Sequence, residues 1–328
     1  EYLKKRLIRI YPIYFLIVLL SFLAENVLTI NQVITALFFL HGWGDQLQSN
    51  VVLWSINFEI LFYILFLFIP HQKKKIITLI VIFTIIAYII DRVPSVPQII
   101  GGYFAGFAFW LTGLLISKTS NRNVAREQRP LIFLLFTALT FQHLGPGSVL
   151  LNTLGFKNDY REIVSIVDIA YLPVCVLILM ECGNLQLAKR FRTALYLYSI
   201  LVPMAILLGL ILTNRFFENI RWIFSGAFFL CSIVMYFYKL QLNVLEKLSF
   251  WGNISFALYI IHYPIGFVLK KLYISNSLVN NLILLIAWGL ASIFLSWILE
   301  LKFQKTIKAI LVSKDVSTVH SSDEFEDQ

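Results

Sequence analysis

Glu59 places a carboxylate inside a hydrophobic stretch, WSINFEILFY over residues 54–63, where a helix that crosses a lipid bilayer should carry no charge. An ionised group near the centre of a bilayer costs about 2.5–3.5 kcal/mol, so such a residue usually faces a polar cavity. Residues four apart share one face of a helix, and Ser55, Glu59 and Tyr63 therefore form one polar stripe. We expect this stripe to line a site for a polar ligand. The alternative is a structural carboxylate that a neighbouring helix satisfies.

A second polar stripe lies in the late run GNISFALYIIHYP over residues 252–264. Ser255, Tyr259 and His262 follow the spacing i, i+4 and i+7, which places them on one helical face. Pro264 is expected to kink or end this helix. At 1.5 Å per residue, Glu59 and His262 each lie roughly 13 Å into their helices, so the two are predicted to pair across a shared cavity. The alternative for His262 is a hydrogen-bonded histidine that stabilises a proline-ended helix.

A third constellation is the basic run RLIRIYPIY over residues 6–14. Arg6 and Arg9 share a helix face, and their planar guanidinium groups are suited to gripping phosphate groups. On composition alone, topology anchors at the start of a membrane helix are the favoured interpretation of these two residues.

The composition indicates the kind of protein that must position these stripes. Of 328 residues, 59% are hydrophobic and only 14% are charged, which is far more apolar than a soluble domain. Apolar runs fill nearly the whole chain, and helices are the only practical structure for such runs in lipid. The predicted fold class is all-α, a polytopic transmembrane helical bundle of about ten spans. We place the spans at 12–30, 51–69, 76–90, 99–117, 131–150, 163–180, 194–213, 222–238, 253–272 and 282–300.

The distribution of positive charge gives an independent prediction of topology. Positive residues collect in short cytoplasmic loops, and most of the 27 Lys and Arg residues fall in alternate loops when the N-terminus is placed inside. Both termini are then cytoplasmic. The net charge of +9 is explained by topology and by attraction to anionic lipid heads, so the bilayer is an expected partner and nucleic acid is not.

The chain is predicted to hold one membrane domain, residues 1–310, followed by an acidic, disordered cytoplasmic tail, residues 311–328. Three cysteines, Cys175, Cys182 and Cys231, lie in or beside apolar runs without metal-ligand spacing. We therefore expect no disulfide framework and no metal site.

The three segments, in this order, resemble the acyltransferase 3 family of multi-pass membrane O-acyltransferases. Residues 6–14 look like that family's R-x-x-R-I-x-P-x-Y segment, residues 54–63 match its W-S-x-x-x-E-x-x-F-Y helix, and residues 252–264 are similar to its late G-x-I-S-Y-x-L-Y-L-x-H-x-P helix. One such motif is weak, but three in order on a fitting topology are fairly specific.

The resemblance implies transfer of an acyl group, with acetyl as the expected one, from acyl-CoA to a hydroxyl group of a carbohydrate, a lipid-linked glycan or another envelope molecule. Acyl-CoA, with acetyl-CoA as the expected donor, would be the co-substrate, without a metal. Arg6 and Arg9 would bind the coenzyme A phosphates. Glu59 and His262 would be catalytic, and the other residues of the two stripes would line the cavity: Ser55, Tyr63, Ser255 and Tyr259. The protein would be a multi-pass protein of the cell membrane.

One departure from the family pattern bears on activity. Members of the family carry a catalytic histidine in their first membrane helix, upstream of the arginine segment, whereas this sequence starts at Glu1 with the arginine segment. Two interpretations follow, a segment of an active enzyme or an inactive form, and the missing initiator Met favours the first.

Two other functional classes remain open from the sequence. A transporter or flippase of a small solute or glycan also places a carboxylate and a histidine at the bilayer midplane, although no paired broken helices are evident here. A non-catalytic assembly partner is the third possibility.

Overall fold

A computed structural model describes most of the chain: residues 1–25, 27–41, 43–44, 46–69, 72–93, 95–119, 121–122, 131–153, 165–183, 185–186, 188–238, 249–272 and 277–310. These residues are almost entirely helical, which confirms the all-α class, apart from the antiparallel pairing of β1 (Asn121–Arg122) with β2 (Leu185–Gln186). The predicted tail, residues 311–328, lies outside the described residues.

The helices follow one another in the order expected from the apolar runs. They are α1 (Tyr2–Ala24), α2 (Ile30–Leu37), α3 (Trp54–Phe66), α4 (Lys73–Ile90), α5 (Gln98–Thr119), α6 (Leu131–Leu144), α7 (Pro146–Thr153), α8 (Leu172–Gly183), α9 (Lys189–Leu212), α10 (Ile220–Tyr238), α11 (Ser249–Gly252), α12 (Ser255–Leu272) and α13 (Leu278–Trp297). Short 3₁₀ segments occupy Gln48–Leu53, Ile166–Tyr171 and Phe216–Glu218, and a π-helical segment, Ile298–Phe303, continues α13.

Helices occupy each of the ten predicted spans. Seven segments of the described chain are long and apolar enough to cross a membrane, and α6 with α7, bent by 40°, would make an eighth. Helices α4 and α12 cover the predicted spans 76–90 and 253–272 but are not among these segments. The ten-span count and the cytoplasmic position of both termini therefore stay predictions.

The first predicted span, 12–30, is displaced from the helix that the structure shows, since α1 begins at Tyr2 and ends at Ala24. The basic run is therefore helical, because Lys, Arg and Leu favour helix. After Ala24 the backbone becomes extended at Glu25, whose carboxylate accepts the amide of Ser49 at 2.7 Å. Pro264 does not end its helix, since α12 continues to Leu272.

The chain divides into two compact units, Glu1–Phe68 with Lys247–Gln328, and Ile69–Glu246. In the first unit the core forms where α1 packs on α12. Its fully buried side chains include Ile13 and Ile17 of α1, Leu53, and Ile260 and Ile261 of α12. All three motif segments recognised in the sequence lie in this unit.

Two prolines inside helices of the first unit each leave a backbone carbonyl without its usual partner. A proline has no N–H to donate to the carbonyl four residues earlier. Pro12 thus frees the carbonyl of Ile8, which accepts a hydrogen bond from Nε2 of Gln304 at 2.8 Å. Pro264 likewise frees the carbonyl of Ile260 in α12.

The side chain of Asn50 satisfies the carbonyl freed in α12. Its Nδ2 donates to Ile260 O at 3.0 Å and to Ser21 Oγ of α1 at 3.1 Å. Ser49 adds a bond from its hydroxyl to the carbonyl of Ser21 at 2.9 Å. Asn50 therefore ties the 3₁₀ segment, α1 and α12 together through buried polar contacts.

In the second unit, α7 packs unusually close to the 3₁₀ segment Ile166–Tyr171. A Cβ atom added to Gly147 would lie 1.9 Å from the carbonyl oxygen of Val167, so only glycine fits at this position. The preceding Gly145 has a φ of +60°, a conformation that glycine adopts without strain. These two glycines permit the break between α6 and α7.

A double mutation can test whether Asn50 is the partner of the Ile260 carbonyl, which Pro264 leaves without its usual helical donor. Asn50→Ala should lower the free energy of unfolding by about 1–3 kcal/mol, because it leaves Ile260 O buried without a partner. In a Pro264→Ala background the loss of unfolding free energy should be smaller, since the backbone N–H of the new alanine can donate to the carbonyl oxygen of Ile260. Chemical unfolding of the four proteins in detergent micelles measures the coupling. Gln48→Ala, an exposed position in the same 3₁₀ segment, is the control, and equal losses in both backgrounds would contradict this account.

The close contact at Gly147 gives a second prediction. Gly147→Ala should destabilise the protein by about 1–3 kcal/mol or more, because the added methyl group must displace the backbone at Val167. Gly113→Ala in α5 is the matched control, since a Cβ there meets no atom within 4 Å. That control should be neutral or stabilising by about 0.5–1 kcal/mol. Thermal unfolding compares the two variants. Equal melting temperatures would contradict a close contact between Gly147 and the backbone of Val167.

Candidate active site

Glu59 and Tyr63 of α3 form the centre of the candidate site in the first unit. The Tyr63 hydroxyl donates a hydrogen bond to Oε1 of Glu59, as the i, i+4 spacing allows. Both side chains are partly exposed, so the carboxylate is neither sealed in the core nor fully open. The predicted polar stripe therefore exists as a bonded pair.

Arg6 of α1 reaches the same pair from a second helix. Its guanidinium carbon lies 5.1 Å from the centroid of the Tyr63 ring and 5.3 Å from that of Tyr2. A cation over an aromatic face is attracted by the ring. The Tyr2 ring in turn contacts Tyr63 and Phe66 at centroid distances of 6.1 and 5.0 Å. Arg6 is thus held by aromatic rings, one of which carries the hydroxyl that binds Glu59.

Arg9 occupies a different environment from Arg6. Its side chain is exposed, whereas that of Arg6 is partly buried. Arg9 is near enough to Glu300 for its charge to act on that carboxylate. Arg6, in contrast, lies against the Tyr63 ring. The two arginines predicted to share one helix face therefore have different surroundings.

Glu300 is a further candidate site residue that the motifs do not include. It lies in the π-helical segment Ile298–Phe303, and its Oε1 accepts the backbone N–H of Ala257, in the first turn of α12, at 3.2 Å. Carboxylates are favoured at helix N-termini, and π-helical turns often occur at functional sites. A signal was present, because Glu300 is an acidic residue at the end of a predicted span, where the argument made for Glu59 also applies.

His262 lies at an interface between α12 and α13. Its Nδ1 is 3.1 Å from the carbonyl of Leu258, and the indole of Trp288 donates to the carbonyl of His262 at 2.6 Å. The ring centroids of His262 and Trp288 are 6.0 Å apart. Tyr259, beside it at a ring distance of 6.2 Å, is 41% exposed.

The hydroxyl groups of the two predicted cavity serines are engaged locally. Ser55 Oγ donates to the carbonyl of Val52 at 2.9 Å, and Ser255 Oγ donates to that of Gly252 at 3.0 Å. Ser255 is exposed and Ser55 is partly buried. Each hydroxyl keeps lone pairs that can accept a hydrogen bond from a ligand.

The structure therefore brings together Arg6, Glu59 and Tyr63, but not the two polar stripes as a whole. No hydrogen bond or ring contact among the described residues joins Glu59 to His262. The catalytic pairing of these two residues stays a prediction. Substituting them singly and together tests it, since strictly additive losses of activity would count against coupling.

His41 is a second feature that the sequence did not reveal. It lies in a loop, yet its side chain is 0% exposed, and neither ring nitrogen has a hydrogen-bond partner in the described structure. Nδ2 of Asn57, in α3, donates a hydrogen bond to the backbone carbonyl of His41 at 2.7 Å and so fixes the backbone at His41. Burial lowers the pKa of His41 to about 4, an effect that the nearby carbonyl of Thr35 only partly offsets. His41 is therefore neutral at physiological pH.

The depressed pKa of His41 predicts a dependence of stability on pH. Since the unfolded histidine protonates near pH 6.5 and the folded one near pH 4, the stability that His41 contributes is present above pH 6.5 and is lost as the pH falls toward 4. The expected slope is at most about 1.4 kcal/mol per pH unit. Unfolding free energies of the wild type and of His41→Gln between pH 7 and pH 4 measure it. The variant should show a shallower slope, and parallel curves would contradict burial as a neutral imidazole.

Comparison with known proteins gives a family match. The family model Acyl_transf_3, described as an acyltransferase domain, matches residues 1–191, more than half of the chain. The matched region includes the arginine segment and the Glu59 helix, and it ends before the late helix with His262. The comparisons with curated proteins and with solved structures gave no match. The chain belongs to the acyltransferase 3 family, and with its apolar helices it is a membrane acyltransferase.

Proposed function

We propose that the protein transfers an acyl group, acetyl being the expected one, from acyl-CoA to a hydroxyl group of a carbohydrate or lipid-linked glycan at the cell membrane. The observation that carries this proposal is the cluster of Arg6, Glu59 and Tyr63. It unites a guanidinium group, which is chemically suited to phosphate, with a carboxylate and a hydroxyl group within one compact unit. The family supports acyl transfer in general, and the cluster supports this particular form of it.

The donor is expected to bind at the basic end of α1. This end carries Lys4, Lys5, Arg6 and Arg9. The contact of Gln304 with Ile8 places the helical stretch after Glu300 at the same end, and that stretch adds Lys302, Lys305 and Lys308. Coenzyme A carries several phosphate groups, for which a concentration of Lys and Arg is a favourable partner.

The proposed chemistry is attack of an acceptor hydroxyl on the thioester carbonyl of acyl-CoA. A carbon–oxygen bond forms, the carbon–sulfur bond breaks, the hydroxyl proton passes to a general base, and the coenzyme A thiolate leaves and takes up a proton. Glu59 is the proposed base in the first unit, and the Tyr63 hydroxyl orients its carboxylate. His262, the other predicted catalytic residue, would act at the α12–α13 interface.

Transfer of radiolabel from acetyl-CoA in membranes that contain the full chain tests the proposal. Glu59→Gln should lower kcat by about 10²–10⁴-fold, because the amide cannot accept the proton. Arg6→Gln should instead raise KM for acetyl-CoA by about tenfold or more through loss of charge-assisted bonds to phosphate. Arg190→Gln is the matched control for Arg6, since it makes the same chemical change on an exposed arginine of α9 in the second unit.

The control should keep near wild-type kinetics. Label transfer that is indifferent to both Glu59 and Arg6 would overturn the proposed site. Movement of a glycan across the membrane without coenzyme A would favour a carrier over an acyltransferase of glycans.

A further inference from the structure

A cavity of about 670 Å³ lies in the second unit, and none of the motif residues lines it. It is bounded by the end of α6, by α7, by the 3₁₀ segment Ile166–Tyr171 and by the turn that leads into α10. Its volume is within the range of about 300–1,000 Å³ typical of small-molecule sites. The charge-based topology predicts that this end of the unit faces outside.

The wall of the cavity depends on a specific backbone arrangement. Gly147 permits α7 to touch the 3₁₀ segment at Val167, and both residues line the cavity. The same 3₁₀ segment is fixed by Asp168, whose Oδ2 accepts the amide of Ser165 at 2.8 Å. The Tyr171 hydroxyl donates to the carbonyl of Phe141 at 3.1 Å and anchors the segment to α6. The cavity is therefore built by close packing and hydrogen bonds on several sides.

The polar lining is rich in neutral groups that both donate and accept hydrogen bonds. Three amide side chains, Gln142, Asn152 and Asn219, line it together with the hydroxyl-bearing Ser148. One carboxylate, Asp168, and one guanidinium, Arg221, balance each other in charge. Such a lining suits a neutral ligand with many hydroxyl groups better than it suits a phosphate or another polyanion.

Trp222 supplies an aromatic surface to the same cavity. Its ring is held from one side by Arg215, whose guanidinium carbon lies 5.6 Å from the ring centroid. Arg215 is in turn paired with Glu218 at 3.1 Å. A fixed indole beside amide and carboxylate groups offers an apolar face and hydrogen-bonding edges to one ligand, which matches the mixed surface of a sugar ring.

We propose that this cavity is a saccharide-binding site, which holds a neutral sugar unit through Asp168, the amide side chains and Trp222. The choice of a saccharide as ligand rests on the proposed function, in which the acyl acceptor is a carbohydrate. The site itself is independent of the Arg6–Glu59–Tyr63 cluster.

Binding of the purified full chain, in lipid nanodiscs without acyl-CoA, to an array of neutral, amino and acidic oligosaccharides tests the proposal. We expect saturable binding to neutral or amino sugars that weakens at least tenfold in Asp168→Asn and in Trp222→Leu. Asn152→Ala should also weaken it, and because Asn152 is exposed, this variant keeps the test valid if the other two fail to fold. Gln186→Ala removes an exposed amide side chain that does not line the cavity, as the control for Asn152→Ala, and it should bind as the wild type does.

No binding to any array member, binding confined to acidic sugars, or binding that all three cavity variants retain would each overturn the saccharide site. Because acyl-CoA is absent, this result is separate from the test of acyl transfer. Saccharide binding that depends on the cavity, combined with no acyl transfer, would contradict the proposed function while supporting the site.

Discussion

The architecture of the first unit depends on how two backbone carbonyl groups, freed by prolines, find hydrogen-bond partners. Pro12 and Pro264 lie inside helices and remove the N–H groups that would bond Ile8 and Ile260. In an apolar surrounding an unpaired carbonyl is costly, and water is not at hand to replace the partner. Gln304 and Asn50 supply the missing donors from segments far away in the chain.

These two bonds also hold the candidate site in place. Gln304 fixes the basic end of α1, which carries Arg6 to the Tyr63 ring and Arg9 to the neighbourhood of Glu300. Asn50 fixes the start of the segment that leads into α3, and Glu59 lies about one and a half turns along that helix. The prolines in the motif segments thus have a structural role, because they create the attachment points between helices.

The two units present different chemistry. The first concentrates cations and carboxylates at the end of α1, which suits a charged donor such as acyl-CoA. The second contains a charge-balanced cavity lined by amides, hydroxyl groups and an indole, which suits a neutral acceptor.

The second unit also uses charge for structure. Buried Glu181 of α8 forms a bidentate ion pair with Arg192 of α9, at 2.7 and 3.0 Å.

The sequence by itself determined the features that depend on local spacing. Apolar runs specified helices and a membrane setting, and the i, i+4 rule brought Glu59 to Tyr63, because helix geometry fixes which neighbours meet. Only the tertiary structure decided that Arg6 lies over the Tyr63 ring and that His41 is buried. It also decided that Glu300 accepts a hydrogen bond from the first turn of α12, and that α7 and Trp222 line one cavity. These contacts join residues that are distant along the chain, 210 positions apart for Asn50 and Ile260 and 296 for Ile8 and Gln304. No local periodicity encodes such partners, since they are set by which helices pack together and by which buried polar groups then need one another.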